Sequence, residues 1–233
     1  MVKESSKYAD TFVIIPVYNE QSSIRTVIKS IKKHFGKVIC VSDGSRDNSS
    51  IEITNAGATI VEHCLNLGAG AATQTGIDYA LLDRNIKYFI TIDADGQHEI
   101  GDAIKMLDYL KKNELDIVLG SRFLGTVQNI SGIKRVFLKM AAIFSSSTSG
   151  VILTDPHVGL RVFNRKFAEG LKLTMPGFAH ASELVHRIGE GRYKYAEVPV
   201  HVSYSDYSKA KGQSMLNAVN ITVDLFHHRI SKK

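Results

Sequence analysis

Short apolar runs punctuate the first half of the chain, separated by longer stretches in which apolar residues recur every three or four positions. The runs 11–16, 37–42, 58–62, 88–92 and 116–119 read as buried strands. Between them, 20–35 places Ile24, Val27, Ile28 and Ile31 on one helical face, and 70–82 and 100–112 also read as helices. The Asp43-Gly44-Ser45 turn feeds a shorter helix ahead of the third strand. Strands that are apolar throughout, alternating with helices, predict an α/β fold with a mostly parallel central sheet and helices on both faces.

The second half has a different texture. The stretch 120–132 holds glycines and serines without periodicity and is expected to be a mobile loop. Residues 135–147 read as a helix with a basic and an apolar face, and 181–189 as another helix. Further strands are expected at 160–163, 193–197 and 200–204, and a C-terminal helix at 214–230. The segments 135–144 and 216–230 either touch a membrane or pack on the sheet. No internal repeat or low-complexity linker divides the chain, so one domain over 1–233 is expected.

Composition narrows the function classes. Of 233 residues, 44% are apolar and 22% charged, which excludes a disordered or fibrous chain. Cys40 and Cys64 form no C-x-x-C pair, which excludes a zinc finger or a disulfide scaffold and suits a reducing compartment. The polar first residues do not read as a secretory signal, and no apolar run reaches the roughly 18 residues that span a bilayer. The net charge of +6 is spread along the chain without dense basic–aromatic clusters. Phosphate-rich ligands or an anionic membrane surface are therefore expected partners, and nucleic acid is not.

In an open parallel sheet, ligands bind beyond the carboxyl ends of the strands. Three polar clusters fall there: Pro16-Val-Tyr18-Asn-Glu20, Ser42-Asp43-Gly-Ser-Arg-Asp47 and Asp93-Ala94-Asp95-Gly-Gln97-His98. Each alone also reads as turn or capping chemistry. Their convergence on one edge argues for a site. Two carboxylates at i and i+2 leaving a strand suit a hard divalent cation that completes its shell with substrate phosphates. Gly68-Ala-Gly70 begins a helix, but Thr73 stands where a dinucleotide fingerprint needs glycine, and no P-loop occurs.

Together with Asn66-Leu-Gly68-Ala-Gly70 and Gly120-Ser-Arg122, these clusters come in the order and spacing of the family-2 glycosyltransferases with the GT-A fold, which this chain resembles over about 11–125. The second half is similar to the polyprenol-phosphate (dolichol-phosphate) mannose and glucose synthase branch. The residues concerned are Asp155-Pro-His-Val-Gly159-Leu-Arg161, Glu183, Glu197-Val-Pro-Val200 and Lys211-Gly-Gln-Ser214. The resemblance implies a Rossmann-like nucleotide-sugar-binding half over about 11–125 and an acceptor half over about 126–233.

The same resemblance implies that Pro16, Tyr18, Glu20, Asp43, Gly68, Asp93, Ala94, Asp95, Gln97 and Arg122 bind a UDP- or GDP-linked hexose. Asp43 would read the base and Glu20 the ribose, through acidic acceptors facing N–H and O–H donors. Asp95 and Asp93 would hold Mg²⁺ or Mn²⁺. Arg122, Arg161, Lys209 and Lys211 are the cations for the diphosphate or the acceptor. Ser42 replaces the first Asp of the family's usual D-D-G-S run, while Asp43 keeps the second. The implied reaction is an inverting displacement onto a polyprenyl phosphate, in cell-envelope glycan synthesis, at the cytoplasmic membrane face. A lipid phosphate attacks unaided, whereas a sugar hydroxyl of a lipid-linked or surface polysaccharide needs a general base, for which Glu183 and Asp155 are the candidates. A non-catalytic sugar-nucleotide-binding protein on the same fold is the third reading. A membrane-protein partner and a homo-oligomer are both compatible with the sequence.

Overall fold

A computed structural model describes residues 7–128, 149–175 and 179–203. The elements run β1 (Thr11–Val17), α1 (Ile24–Lys32), β2 (Lys37–Asp43), α2 (Ser49–Asn55), β3 (Thr59–His63), α3 (Ala69–Leu81), β4 (Tyr88–Thr91) and α4 (Ile100–Lys112). They continue with β5 (Ile117–Gln128), β6 (Arg161–Asn164), α5 (Arg165–Gly170), α6 (Ala179–Glu190) and β7 (Tyr195–Ser203). The strands form one sheet of order β3-β2-β1-β4-β6-β5-β7. Pairing is parallel except at β6, which lies antiparallel between β4 and β5.

The uninterrupted apolar runs follow from this burial. Successive side chains of a strand face opposite ways, and both faces of β1 are covered. Val13, Ile15 and Val17 pack in one apolar layer with Ile24, Val27, Ile28 and Ile31 of α1 and Met106 and Leu107 of α4. Phe12 and Ile14 enter the opposite layer with Ile77 of α3 and Leu184 and Val185 of α6. Helix α1 begins at Ile24, later than the periodicity suggests, after a turn in which the backbone N–H groups of Ser23 and Ile24 donate to the Glu20 carbonyl.

Three sequence expectations are corrected. The expected loop at 120–132 is strand as far as Gln128, paired with β7. A register shift between Ser121 and Thr126 breaks the alternation that would have revealed it. The two strands expected at 193–197 and 200–204 are one strand, β7. Pro199 interrupts the pattern but sits on an edge strand, where its missing N–H costs no ladder bond on the open side. Helix α5 was not anticipated; the Asn164 side chain caps it by accepting from Phe167 N at 2.9 Å. The helices expected at 135–147 and 214–230 lie outside the described residues. Among the described residues, no helix is long and apolar enough to cross a membrane.

Strands β6 and β7 carry the second half of the chain into the sheet of the first. The end of β7 is clamped to the segment after β4: His201 N donates to buried Asp102 at 2.7 Å, and Ser203 N donates to the Gln97 carbonyl at 3.1 Å. At the bulge, Gly125 lies against the Val200 backbone with no room for a Cβ, whereas a Cβ on Gly101 of α4 would meet nothing within 4 Å. Gly125→Val should therefore lower unfolding stability by about 2–3 kcal/mol. Gly101→Ala should raise it by about 0.5 kcal/mol. Urea denaturation of the two variants checks both signs.

Candidate functional site

The polar clusters meet at the carboxyl edge of the sheet, and many of their side chains hold one another. Asn19, at a φ of 53°, receives Arg46 N on its side-chain oxygen at 2.8 Å and donates its own N–H to Ser45 Oγ at 3.1 Å. Glu20 N donates to Ser49 Oγ at 2.7 Å, and Gln21 N to Asp47 at 3.1 Å. The loops after β1 and β2 are thereby fastened together. Exposed Tyr18, with Gly44, Ser45, His63 and Asn66, lines a cleft of about 230 Å³. Pro16 lies below it in β1, level with Val41.

Asp43 is buried between Ser42 and Gly44, two residues that line the cleft. One carboxylate oxygen accepts Leu67 N at 2.9 Å and pairs with His63 Nδ1 at 2.8 Å; the other accepts Gly68 N at 2.8 Å. Its first effect is to fix the loop that enters α3 through Gly68, whose φ of 95° favours glycine. His63, whose Nε2 lies 3.0 Å from Thr75 Oγ1, was not anticipated from sequence.

Beyond β4, Asp93 bonds His98 Nε2 at 3.1 Å through Oδ2, and Asp95 receives Gln97 Nε2 at 2.6 Å and Gln97 N at 3.1 Å. The Ala94 side chain between them points into the core. Gly159 presses its backbone against the Asp93 carboxylate, and its carbonyl accepts Thr91 Oγ1 at 2.9 Å. The two acids are held differently. Burial pulls the Asp93 carboxyl upward, but the His98 hydrogen bond and the charges of His98, Arg161 and His180 outweigh it and leave it below the usual range. Asp95 is pushed up to about 6, first by burial, then by the charge on Asp93, with Glu20 adding to the effect. Helix α6 brings His180 here by packing against α3; a Cβ on Gly70 would stand 2.7 Å from that of His180. Glu20 is itself buried and accepts Ser23 Oγ at 2.9 Å.

Asp155 and Glu183, the two candidate bases, are both engaged in hydrogen bonds. Asp155, 1% exposed, grips Arg122 in a bidentate pair, Nε at 2.7 Å and Nη2 at 2.8 Å, and also accepts Arg122 N at 3.0 Å. Glu197 in turn accepts Thr154 N at 2.6 Å and Asp155 N at 2.9 Å. Burial raises the Glu197 carboxyl, with the Asp155 charge adding and the two backbone donors opposing. Glu183 accepts Thr174 N, Thr174 Oγ1 and Met175 N, each at 2.8 Å. Both candidate bases are thus engaged in holding backbone and guanidinium. Lys209 and Lys211 lie outside the described residues.

The structure therefore brings Glu20, Asp93, Asp95, Gln97 and Arg161 to one edge, with Arg122, paired to Asp155, on the strand next to Arg161. Among the described residues, no group of three or more His, Cys, Asp or Glu side chains could hold a metal by itself. His98, His157 and Glu197 stood inside recognisable motifs without an assigned role. His180 carried no sequence signal, since only the packing of α6 on Gly70 delivers it.

Residues 12–171 match the family model Glycosyl transferase family 2. The UDP-N-acetylglucosamine–dolichyl-phosphate N-acetylglucosaminyltransferase of Methanococcus voltae is 26% identical over 95% of this chain and 96% of its own. The polyprenol monophosphomannose synthase of Mycolicibacterium smegmatis is 27% identical over 93% of this chain and 84% of its own. The crystal structure of glucosyl-3-phosphoglycerate synthase from Mycobacterium tuberculosis in complex with Mn²⁺ and uridine-diphosphate-glucose has the same fold. Its TM-score is 0.68 at 16% identity, covering 98% of this chain and 80% of that one. With the edge-binding sheet, the D-x-D pair and the family model in agreement, this chain belongs to glycosyl transferase family 2 and is a glycosyltransferase of the GT-A fold.

Proposed function

We propose that this enzyme transfers a hexose from a UDP- or GDP-sugar to a polyprenyl phosphate, with inversion, at the cytoplasmic face of a membrane. One observation carries the reading: the two carboxylates that could serve as a general base, Asp155 and Glu183, are already occupied by short hydrogen bonds. A hydroxyl nucleophile needs such a base, whereas a phosphate monoester, with a second pKa of about 6, is largely dianionic at pH 7. Two relatives bear names of dolichyl- or polyprenyl-phosphate sugar transferases, which supports the same acceptor class. A phosphate oxygen of the acceptor forms the new bond to the anomeric carbon as the bond to the nucleoside diphosphate breaks, and no proton has to be removed.

The acidic pair fits Mg²⁺ or Mn²⁺. Asp95 is held high by its surroundings, so a divalent cation beside it and Asp93 would relieve a repulsion the fold maintains. Such an ion, when bound, supplies positive charge opposite the leaving diphosphate. The chain's own part is to hold the acids: Gln97 fixes Asp95, His98 fixes Asp93, and Gly159 sets how far Asp93 can withdraw. The cleft by Tyr18 and His63 is the place for the base of the donor, and Asp43 shapes it by anchoring the 67–68 backbone.

Release of nucleoside diphosphate should require one sugar nucleotide, a divalent metal and short-chain polyprenyl phosphate, and polyprenol should not substitute. Turnover with a glycan hydroxyl acceptor and none with the lipid phosphate would overturn the reading. Asp95→Asn should abolish turnover yet stabilise the metal-free protein at pH 7.5 by about 2 kcal/mol. The sign follows from the raised carboxyl: its stabilising contribution is present below about pH 4 and is lost as pH rises through about 6. Urea unfolding of both proteins from pH 4.5 to 8, without metal, should show the difference opening with rising pH. A constant difference would remove the electrostatic assignment.

A further inference from the structure

Among the described residues of this site, Arg161 is a buried cation without an ion-pair partner. It leaves β6 between the strand that precedes the D-x-D pair and the strand that carries Arg122, in register with both Thr91 and Leu119. The residue is 3% exposed, its Nε has no hydrogen-bond partner, and no ion pair among the described residues includes its guanidinium. Asp93 and Asp155 act on it only through their fields, one being bonded to His98 and the other gripped by Arg122. A buried guanidinium whose Nε has lost water without gaining an acceptor is a costly arrangement. Beside it, the buried Nδ1 of His157 is also without a partner. That imidazole is pushed down to about 4, first by burial and then by Arg161 and Arg122 against the pull of Asp155, so it stays neutral at working pH.

Resting on the lipid-phosphate reading above, we infer that Arg161 and His157 together form the seat for the acceptor's phosphate group, with Arg161 as its bidentate donor and Arg122 held away from that task by Asp155. The chemistry favours an anion over a sugar hydroxyl. A planar fork of donors matches two phosphate oxygens, and a neutral imidazole nitrogen can donate to a third. The seat also lies where the reaction needs it. Arg161 and Asp93 feel each other's charge, so a phosphate held on the guanidinium stands beside the acids expected to hold the donor. Asp155 and Glu197 act as positioning residues: they keep Arg122 and the 154–155 backbone out of the seat without touching the phosphate.

The test uses the full chain with Mg²⁺ or Mn²⁺ and three probes: short-chain polyprenyl phosphate, inorganic phosphate and polyprenol. Arg161→Met should raise the KM for polyprenyl phosphate about 30-fold or more, and should abolish competition by inorganic phosphate. Affinity for the nucleoside diphosphate, read by titration calorimetry, should stay within about threefold of the parent. Arg161→Lys, which keeps the charge but not the fork, should fall between, and His157→Ala should raise the same KM about threefold to tenfold. Competition by inorganic phosphate but not polyprenol identifies the phosphate group as what is bound, and a tighter lipid arm identifies the headgroup as its source. An unchanged acceptor KM with a raised donor KM would overturn the seat while leaving the acceptor class standing. If the parent enzyme does not use polyprenyl phosphate, the acceptor reading fails; calorimetric binding of inorganic phosphate by the parent and not by Arg161→Met then still decides the seat. Should Arg161→Met fail to bind the nucleoside diphosphate, the Arg161→Lys arm carries the decision.

Discussion

A carboxylate taken out of water must be surrounded by donors, and much of this molecule's architecture answers that demand. Asp43, Asp102, Asp116, Asp155 and Glu183 are all buried. Each is matched by backbone N–H groups or cations from another element. Asp43 fastens the loop into α3, Asp102 fastens the end of β7, and Asp116 accepts Asn164, Lys166 and the backbone of Lys194 at the far end of β5. Glu183 ties α6 to residues 174–175, and Asp155 ties β5 to the segment entering β6. The acids that look catalytic by type therefore work as fasteners in this fold.

Two residues escape this rule, and both lie at the carboxyl edge of the sheet. Asp95 stays high because burial and a neighbouring acid are only partly offset by Gln97, and Arg161 stays unmatched at 3% exposure. One group has an excess of negative surroundings, the other lacks an acceptor. A site that binds a metal–diphosphate on one side and an anion on the other needs both imbalances at once. It also needs them kept apart, so that the acid and the guanidinium do not simply collapse into a salt bridge. The β4–β6 pairing does this. It fixes Thr91 opposite Arg161 and sets Gly159 against Asp93, and a strand ladder cannot slide to let one side chain satisfy the other.

Much of this was legible in the chain. The apolar runs and the Ile24–Ile31 face located the first five strands and their helices, because most of them bury residues that their period reveals, although β3 at the sheet edge is only partly covered. The clusters at 16–20, 42–47 and 93–98 were correctly brought to one edge. What failed to show was long-range. Strand β5 beyond Leu119 hides its register behind the Ser121–Thr126 shift, and Pro199 disguises one edge strand as two. The roles of Asp155 and Glu183 could not be read either. An acid's availability depends on which donors the fold brings from elsewhere in the chain, and neither the Asp-Pro turn nor the helical position of Glu183 records that. His180 is the extreme case, since its place at Asp93 depends on the absence of a side chain on Gly70.

These constraints also bear on why an enzyme of this kind would take a phosphate and not a hydroxyl. A general base must be ionised, accessible and unsaturated, which is the condition the fold removes from its buried acids one by one. Freeing Asp155 to act as a base would release Arg122 and strip an acceptor from its guanidinium and backbone N–H together. Freeing Glu183 would unpin residues 174–175 and, through α6, the His180 that helps keep Asp93 ionised. A nucleophile that arrives already charged avoids both costs. On the proposed reading, the acceptor would supply the negative charge that Arg161 lacks, so the same ionised group that attacks the sugar would also complete the buried site.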